Sequence, residues 1–255
     1  KNPTNQACKF IARHQFLSEK LSTPLPKLNC PDYDVFKKKA PLDDISILYA
    51  SENLTQPSSM MGHTMLAISG INQNGQVADH AVSFFTELDD INIANIVWET
   101  LYKGKPGYFT VQPIKKALDY YLVAEQRNVW RYKLQLKLNH KALLHKHLWE
   151  LKHAQMDYLF HRHNCATLSL HILQVANPNL AKNNDVFVSP IDVSKAASRG
   201  GIINETLIYP SSKWKVRMLS EFVAAEDIEK ISSGITPVSN NYSVVKNYLN
   251  TNLAS

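Results

Sequence analysis

The feature that most constrains the fold is a pair of β-type segments joined by a tight turn. Residues 63–69 read as one strand, and residues 77–85 alternate between two faces as a second strand should. The segment Asn72–Gly75 between them ends in Asn-Gly, a dipeptide that favours a hairpin turn. The sequence therefore predicts an antiparallel hairpin with His63 near the start of its first strand.

The remaining segments predict more strands together with several helices. A short β-type segment spans residues 45–50, and residues 128–138 alternate apolar and polar side chains throughout. Apolar residues at helical spacing predict helices at 10–21, 89–101, 113–125, 140–156, 166–175 and 191–198. This mixture indicates an α+β fold in which an antiparallel sheet packs against helices.

The predicted domain organisation has three parts. Residues 1–44 are rich in proline and predict an N-terminal arm, whereas residues 45–210 hold the sheet and most helices of one main domain. Residues 211–255 predict a C-terminal extension that packs on the core or is partly flexible. No segment approaches the ~18 to 20 apolar residues that cross a bilayer. Because the sequence begins at Lys1 rather than Met, we expect a processed N-terminus, as after removal of a secretory signal.

The charge balance gives little support to nucleic-acid binding. The chain carries 28 Lys and Arg against 22 Asp and Glu, a formal net charge of +6, and its basic residues are scattered. A nucleic-acid groove needs basic residues interleaved with aromatic ones, and the sequence shows no such stripe. We therefore expect no nucleic-acid partner, while transient contact with an anionic membrane surface stays open.

Three cysteines divide into a pair and a single thiol. Cys8 and Cys30 lie 22 positions apart in the proline-rich region. A disulfide between them would stabilise the fold by about 3 kcal/mol and would fit an oxidising compartment. The alternative is two free thiols in a cytosolic protein. Either way Cys165 is left over, and a single remaining thiol is a candidate nucleophile.

Cys165 lies at the predicted start of an apolar helix. The unpaired N–H groups and the positive dipole end of a helix N-terminus stabilise a thiolate, and the same N–H groups can hold an oxyanion. The alternative is a buried structural cysteine, because free cysteines are among the most buried residues. The polar approach His161–Asn164 favours the reactive interpretation.

His63 is the candidate base for this thiol. An imidazole on a strand beside a thiol on a helix is the arrangement of papain-like enzymes. The small residues Ser58, Ser59 and Gly62 precede it and leave the ring accessible. The alternative is a half-exposed strand histidine without a role.

Two other histidine pairs, His145-x-His147 and His161-x-His163, suggest a zinc site with Cys165 as a further ligand. Positions 145 and 147 point to different sides of a helix and chelate poorly. We therefore expect no metal and no cofactor.

Four motifs carry a resemblance to a known family. The sequence resembles the periplasmic N-terminal domain of bacterial lipoprotein N-acyltransferases of the Bacteroides kind, over roughly residues 45–205. The Gly-His-Thr and Asn-Cys segments are the specific part of this resemblance. The matching residues are Ser58, Met60, Gly62, His63 and Thr64; Asp79 to Phe84; Tyr121, Glu125, Arg127, Trp130 and Tyr132; and Tyr158, Phe160, Asn164, Cys165 and Thr167.

The resemblance implies a circularly permuted papain-like (NlpC/P60-like) fold for residues 45–210, because histidine precedes cysteine in the chain. It also implies that Cys165 is the nucleophile and His63 the base of a thiol acyl hydrolase or acyltransferase. The acyl group of a lipid or lipoprotein would pass through a thioester on Cys165.

Three residues are candidates for the third catalytic position. Family members tend to carry Asn where this chain has Ser83, and His80 could replace it as a second histidine. Because neighbours at odd spacing face opposite sides of a strand, His80 and Ser83 cannot both point inward. We favour His80, with Ser83 and Asp79 as alternatives. Asn164, Ser83 and Ser59 are further candidates for supporting the substrate or the oxyanion.

Two alternative functions remain. One is a cysteine peptidase or amidase acting on peptide or cell-wall peptide, and the other is a non-catalytic binding or scaffold module with the same fold. In all three cases we expect a monomer in the bacterial envelope, periplasmic or secreted.

Overall fold

A computed structural model describes residues 6–21, 25–53, 60–86, 98–180, 187–222 and 225–233. Within these ranges seven strands form one antiparallel sheet, in the order β6-β4-β3-β2-β1-β5-β7. The strands are β1 Asp44–Ala50, β2 His63–Ile71, β3 Val77–Thr86, β4 Lys105–Pro113, β5 Val129–Leu134, β6 Met156–Tyr158 and β7 Ile203–Tyr209.

Eight α-helices accompany the sheet in the described part of the chain. They are α1 Ile11–Lys20, α2 Pro31–Lys39, α3 Ile114–Asp119, α4 Leu138–Leu151, α5 Cys165–Ala176, α6 Pro190–Arg199, α7 Ser212–Ser220 and α8 Ala225–Ser232. Short 3-10 turns span Cys8–Phe10 and Pro178–Leu180, and π-helical turns span Glu99–Lys103 and Tyr120–Ala124. The prediction of an α+β fold with an antiparallel sheet packed against helices is confirmed.

Several predicted bounds need correction. The helix predicted over 113–125 ends as α3 at Asp119 and continues as a π-helical turn. The strand predicted over 128–138 stops at Leu134, and α4 begins at Leu138 rather than at residue 140. Most of the helix predicted over 89–101 lies outside the described residues.

Apolar residues cover both faces of the sheet. One face, which we call the helical face, packs against α2, α4, α5 and α6, and its strand residues include Ile45, Leu66 and Val82. The opposite face carries Leu48, Met65 and Ala81, and α3 and the following π-helical turn cover part of it. Strand residues alternate between these two clusters because successive side chains of a strand point to opposite sides.

The N-terminal segment is joined to the core by covalent and polar contacts. A disulfide links Cys8 to Cys30, and the indole N–H of Trp149 donates to the Cys8 carbonyl at 2.8 Å. At the start of α1, the backbone N–H groups of Ala12 and Arg13 donate to the buried carboxylate of Glu150 at 2.8 and 2.9 Å. Glu150 thus caps a helix that lies far from it in sequence.

Helix α2 lies in the segment predicted as an arm, yet it belongs to the main core. Its residues Tyr33 and Phe36 are buried in the same cluster as α4 and α5. Among the described helices none combines the length and apolar character that a membrane crossing requires.

Candidate active site

The helix that carries the free cysteine begins with a complete cap. The side-chain oxygen of Asn164 accepts a hydrogen bond from the Thr167 N–H at 2.8 Å, and the Thr167 hydroxyl accepts one from the Asn164 N–H, also at 2.8 Å. This reciprocal capping box fixes where the helix starts. Cys165 is therefore the first residue of α5, where backbone N–H groups lack partners within the helix.

The Cys165 sulfur is buried and is a neutral thiol at rest. Burial is the largest influence on its pKa and raises it to about 11. Hydrogen bonds from the backbone N–H groups of Thr64, Ala166 and Cys165 itself act in the opposite direction, as does the charge of Arg127. The N–H groups expected at a helix N-terminus are present, but desolvation of the sulfur outweighs them.

His63 is the first residue of β2 and is half-buried. Its Nε2 lies 3.0 Å from the Ser83 hydroxyl, within hydrogen-bond distance, and its ring stacks on Tyr121 with centroids 5.9 Å apart. Burial, followed by the positive charge of Arg127, lowers the pKa of His63 to about 4. The imidazole is therefore neutral near pH 7, which is the form that accepts a proton.

The strand register explains how a cysteine on a helix reaches the strand that carries His63. Pairing of β2 with β1 extends down to His63, whereas pairing of β2 with β3 begins only at Leu66 opposite Val82. Thr64 lies in the intervening stretch, and its N–H donates to the Cys165 sulfur. The sulfur is thus hydrogen-bonded to the residue that directly follows His63.

The thiol and the imidazole also share neighbours. The charge of Arg127 acts on both, lowering the pKa of each. Tyr121 stacks on His63. Burial is the largest influence on the pKa of Tyr121 and raises it, the Arg127 charge lowers it, and the charges of Glu125 and Cys165 raise it further. Nothing in the sequence indicated a role for Tyr121, although this residue lies in a family motif, whereas Glu125 and Arg127 left open either a buried ion pair bracing the site or a polar strand start.

Ser83, and not His80, is the residue that the structure brings to His63. Ser83 and His63 project from the face of the sheet opposite the helical face. His80 pairs with Ile68 and projects from the helical face. Asp79 shares the face of His63, but its carboxylate accepts two hydrogen bonds from the Arg131 guanidinium at 2.6 and 3.3 Å. His80 as the third catalytic residue stays a prediction, and the structure places Ser83 rather than His80 beside His63 because neighbours at odd spacing face opposite sides.

Other predicted site residues have different placements. Both N–H bonds of the Asn164 amide are engaged, to the carbonyls of Phe160 at 2.8 Å and Val188 at 3.2 Å. Its side chain therefore positions the start of α5. Because both N–H bonds are engaged, the side chain is not free to hold an oxyanion, although the sequence had suggested that role. Ser59 and Ser58 lie outside the described residues.

The histidine pairs considered for zinc do not form a metal site. His145 is buried, with Nδ1 3.0 Å from the Tyr33 hydroxyl and Nε2 2.8 Å from the Ala40 carbonyl. Both ring nitrogens therefore serve the packing of α2 on α4. Throughout the described ranges, no group of three or more His, Cys, Asp or Glu is placed to hold a metal ion.

A cavity of about 340 Å³ lies beside the first turns of α5. Its wall is mostly apolar, with imidazole and carboxylate groups at Asp157, His163 and His171. Thr167, two positions after Cys165, contributes to the wall, whereas Cys165 itself is not among the lining residues. The apolar lining residues are Phe84, Met156, Leu159 and Leu168.

The raised thiol pKa predicts an unusual alkylation profile. Only the thiolate reacts with iodoacetamide, so the rate for Cys165 should rise about tenfold per pH unit from about pH 7 to 10. In the urea-unfolded chain with its disulfide intact, the same cysteine should level off near its ordinary pKa of about 8.5. A native rate that is already at a plateau between about pH 6 and 8 would mean a preformed thiolate–imidazolium pair and contradict this prediction.

The fold and the site define a class of protein: an α+β domain in which a buried cysteine at a helix start is hydrogen-bonded to the residue that follows a histidine at the start of a central strand. The chain belongs to the family of the Lnb N-terminal periplasmic domain, whose model matches residues 32–200. The match begins within α2 and ends just after α6, so it includes both His63 and Cys165. Searches of curated proteins and of solved structures found no match.

The family establishes the location of the domain. The predicted bacterial, periplasmic location is confirmed, since the family is a periplasmic domain. A periplasmic location is also consistent with the disulfide between Cys8 and Cys30, because that compartment is oxidising.

Proposed function

We propose that this chain is a thiol-dependent acyl hydrolase or acyltransferase with a permuted papain-like fold, in which Cys165 is the nucleophile and His63 the base. The observation that carries this proposal is the hydrogen bond from the Thr64 N–H to the Cys165 sulfur, which holds the thiol at the backbone of the residue that follows His63. The order of histidine before cysteine, and the packing of the cysteine helix on an antiparallel sheet, support the permuted fold.

In the proposed reaction the proton moves as the sulfur attacks. With Nε2–H donating to the Ser83 hydroxyl, Nδ1 of His63 is the nitrogen that accepts the thiol proton. The sulfur forms a bond to the acyl carbon, His63 protonates the leaving group, and a thioester remains on Cys165. Water, or a second nucleophile such as an amine, then releases the acyl group and restores the thiol.

Backbone N–H groups are the candidate oxyanion donors. The N–H groups of Thr64, Cys165 and Ala166 surround the sulfur, so they lie close to any carbonyl that it attacks. Such preorganised donors stabilise the charge that develops on the carbonyl oxygen. Asn164 supports them indirectly by fixing the start of α5.

A lipid or lipoprotein acyl group is the proposed substrate. The apolar part of the cavity beside α5 is suited to hydrocarbon, and family membership favours envelope lipids or lipoproteins. Exposed aromatic rings add to this: Trp98 and Tyr102 are in contact, with centroids 4.9 Å apart, and are 61% and 71% exposed. The Phe160 N–H bonds to the Thr100 carbonyl at 2.8 Å, which joins these aromatics to the segment preceding Cys165. They would also suit transient contact with a membrane surface.

Trapping the acyl-enzyme tests this function directly. Wild type and Cys165→Ser are incubated with phospholipid, lipopeptide and muropeptide mixtures, and the peptide containing residue 165 is analysed by mass spectrometry. We expect a fatty-acyl mass on wild-type Cys165 that hydroxylamine removes, and no hydroxylamine-labile adduct on the serine variant. A peptidyl adduct would instead indicate the peptidase or amidase alternative. Absence of any adduct and of any product with all three mixtures would favour the non-catalytic module.

A further inference from the structure

A buried ion pair lies behind the candidate active site. The side chains of Arg127 and Glu125 are 3% and 8% exposed, and Arg127 Nη1 lies 2.5 Å from the Glu125 carboxylate. The guanidinium also donates to the carbonyls of Ala50 and Ser51, at the end of β1. Because Ala50 pairs with His63 in the sheet, Arg127 fixes the strand end against which His63 is placed.

Arg127 also connects to His63 through an aromatic ring. Its guanidinium carbon lies 5.1 Å from the centroid of the Tyr121 ring, a cation–π contact. Tyr121 in turn stacks on the imidazole of His63 at an interplanar angle of 20°. The three groups therefore form a packed series from a buried cation to the base of the site.

The charge of Arg127 reaches both reacting groups and lowers the pKa of Cys165 and that of His63. A buried positive charge near the site favours negative charge on the sulfur and disfavours positive charge on the imidazole.

We propose that Arg127 is a positioning residue of this site: through Tyr121 and the end of β1 it fixes His63, and its buried charge stabilises the negative charge that develops on the Cys165 sulfur as the proton leaves. This inference rests on the proposed function for its role in a reaction. The electrostatic effect itself exists in the resting protein and can be measured without a substrate.

The surroundings of both reacting groups enter the test. His63 faces Ser83 from β3, Tyr121 from the π-helical turn and the cation of Arg127. The charged or titratable neighbours of the Cys165 sulfur include Tyr121, Arg127 and Tyr158 on β6. The charge of Cys165 influences the pKa of Tyr158. Burial is the main reason that the pKa values of Tyr121 and Tyr158 are raised, so both side chains stay neutral at the pH values of the NMR and alkylation measurements.

The experiment measures the pKa of His63 by NMR and the alkylation rate of Cys165. In Arg127→Met we expect the pKa of His63 to rise from about 4 towards its ordinary 6.5, and alkylation at pH 8 to slow about tenfold. In Arg127→Lys, which keeps the charge, the pKa of His63 should stay low. Glu125→Gln leaves the cation uncompensated, so alkylation should become faster than in wild type.

A matched control is available on β5, the strand that follows Arg127. Arg131 is similarly buried and paired, with Asp79, but it is not among the influences on His63 or Cys165. Arg131→Met should therefore leave both measurements at their wild-type values. A folded Arg127→Met with an unchanged His63 pKa and alkylation rate would overturn the inference. If Arg127→Met does not fold, an unchanged alkylation rate in Glu125→Gln would overturn the inference instead.

The outcomes separate this inference from the proposed function. Shifted values in the Arg127 variants, together with no acyl adduct on wild-type Cys165, would leave the electrostatic role intact and remove the reaction. An acyl adduct together with unshifted values would support the reaction and remove the role of Arg127.

Discussion

Replacing His63 with alanine is expected to slow formation of the Cys165 thioester by about 10³-fold at pH 7, within the range of general-base catalysis. The resting state of the site explains why the effect should be large. With a pKa of about 11, only about one Cys165 sulfur in 10⁴ is ionised at pH 7, so almost every attack requires that a base remove the thiol proton. His63, with a pKa of about 4, is neutral at this pH and has a free ring nitrogen for that proton.

His80 provides the control for this prediction. It lies on the neighbouring strand but projects from the helical face, so His80→Ala should react at close to the wild-type rate. Both variants are compared in single-turnover experiments with an activated ester, with acylation followed by mass spectrometry and folding checked by circular dichroism. Added imidazole should partly restore the His63→Ala rate. Equal acylation rates in His63→Ala and wild type would remove the histidine from the mechanism.

The hairpin and the start of the cysteine helix could be predicted from sequence because local patterns encode them. The Asn72–Gly75 turn and the alternation that follows it specify β2 and β3. Asn164 and Thr167 form the cap that begins α5 at Cys165. These features depend on residues within a few positions of one another, which is why a single sequence reveals them.

The choice between His80 and Ser83 required the hairpin register. The turn pairs Ile71 with Val77. Alternation along both strands from that pair places His63, Ala81 and Ser83 on the same face of the sheet. Counting from the turn would have given this result, because alternation carries the face along both strands. The signal was present in the sequence, although the possibility of a second histidine in the site favoured the other residue.

Other properties depend on packing that no local pattern records. The start of α5 indicated a stabilised thiolate, but the pKa of Cys165 is set mainly by burial against elements that are distant in sequence. Arg127 reaches the site only because β5 lies next to β1, and Tyr121 because a π-helical turn follows α3. Both contacts connect segments separated by many residues.

The capping of α1 by Glu150 is also a long-range feature, and its removal should have the largest effect on stability outside the sheet. We expect Glu150→Ala to lower the free energy of unfolding by about 3 kcal/mol, because two backbone N–H groups and Arg13 lose a charged partner. Glu150→Gln keeps an acceptor oxygen and should cost about half as much. Urea denaturation at pH 7 measures both variants.

The pH dependence of stability separates the charge from the hydrogen bonds. Burial raises the pKa of Glu150, but the nearby His147 ring, hydrogen bonds from the Arg13 and Ala12 N–H groups and the Arg13 charge outweigh it and leave the pKa below its ordinary value. The carboxylate therefore contributes stability above about pH 4.3, the value of an unfolded Glu, and loses it as the pH falls through the lower folded pKa. The difference in unfolding free energy between wild type and Glu150→Gln should shrink over that acidic interval. A difference that stays constant down to about pH 3 would show that the charge of Glu150 contributes nothing and that the acceptor oxygen alone caps α1.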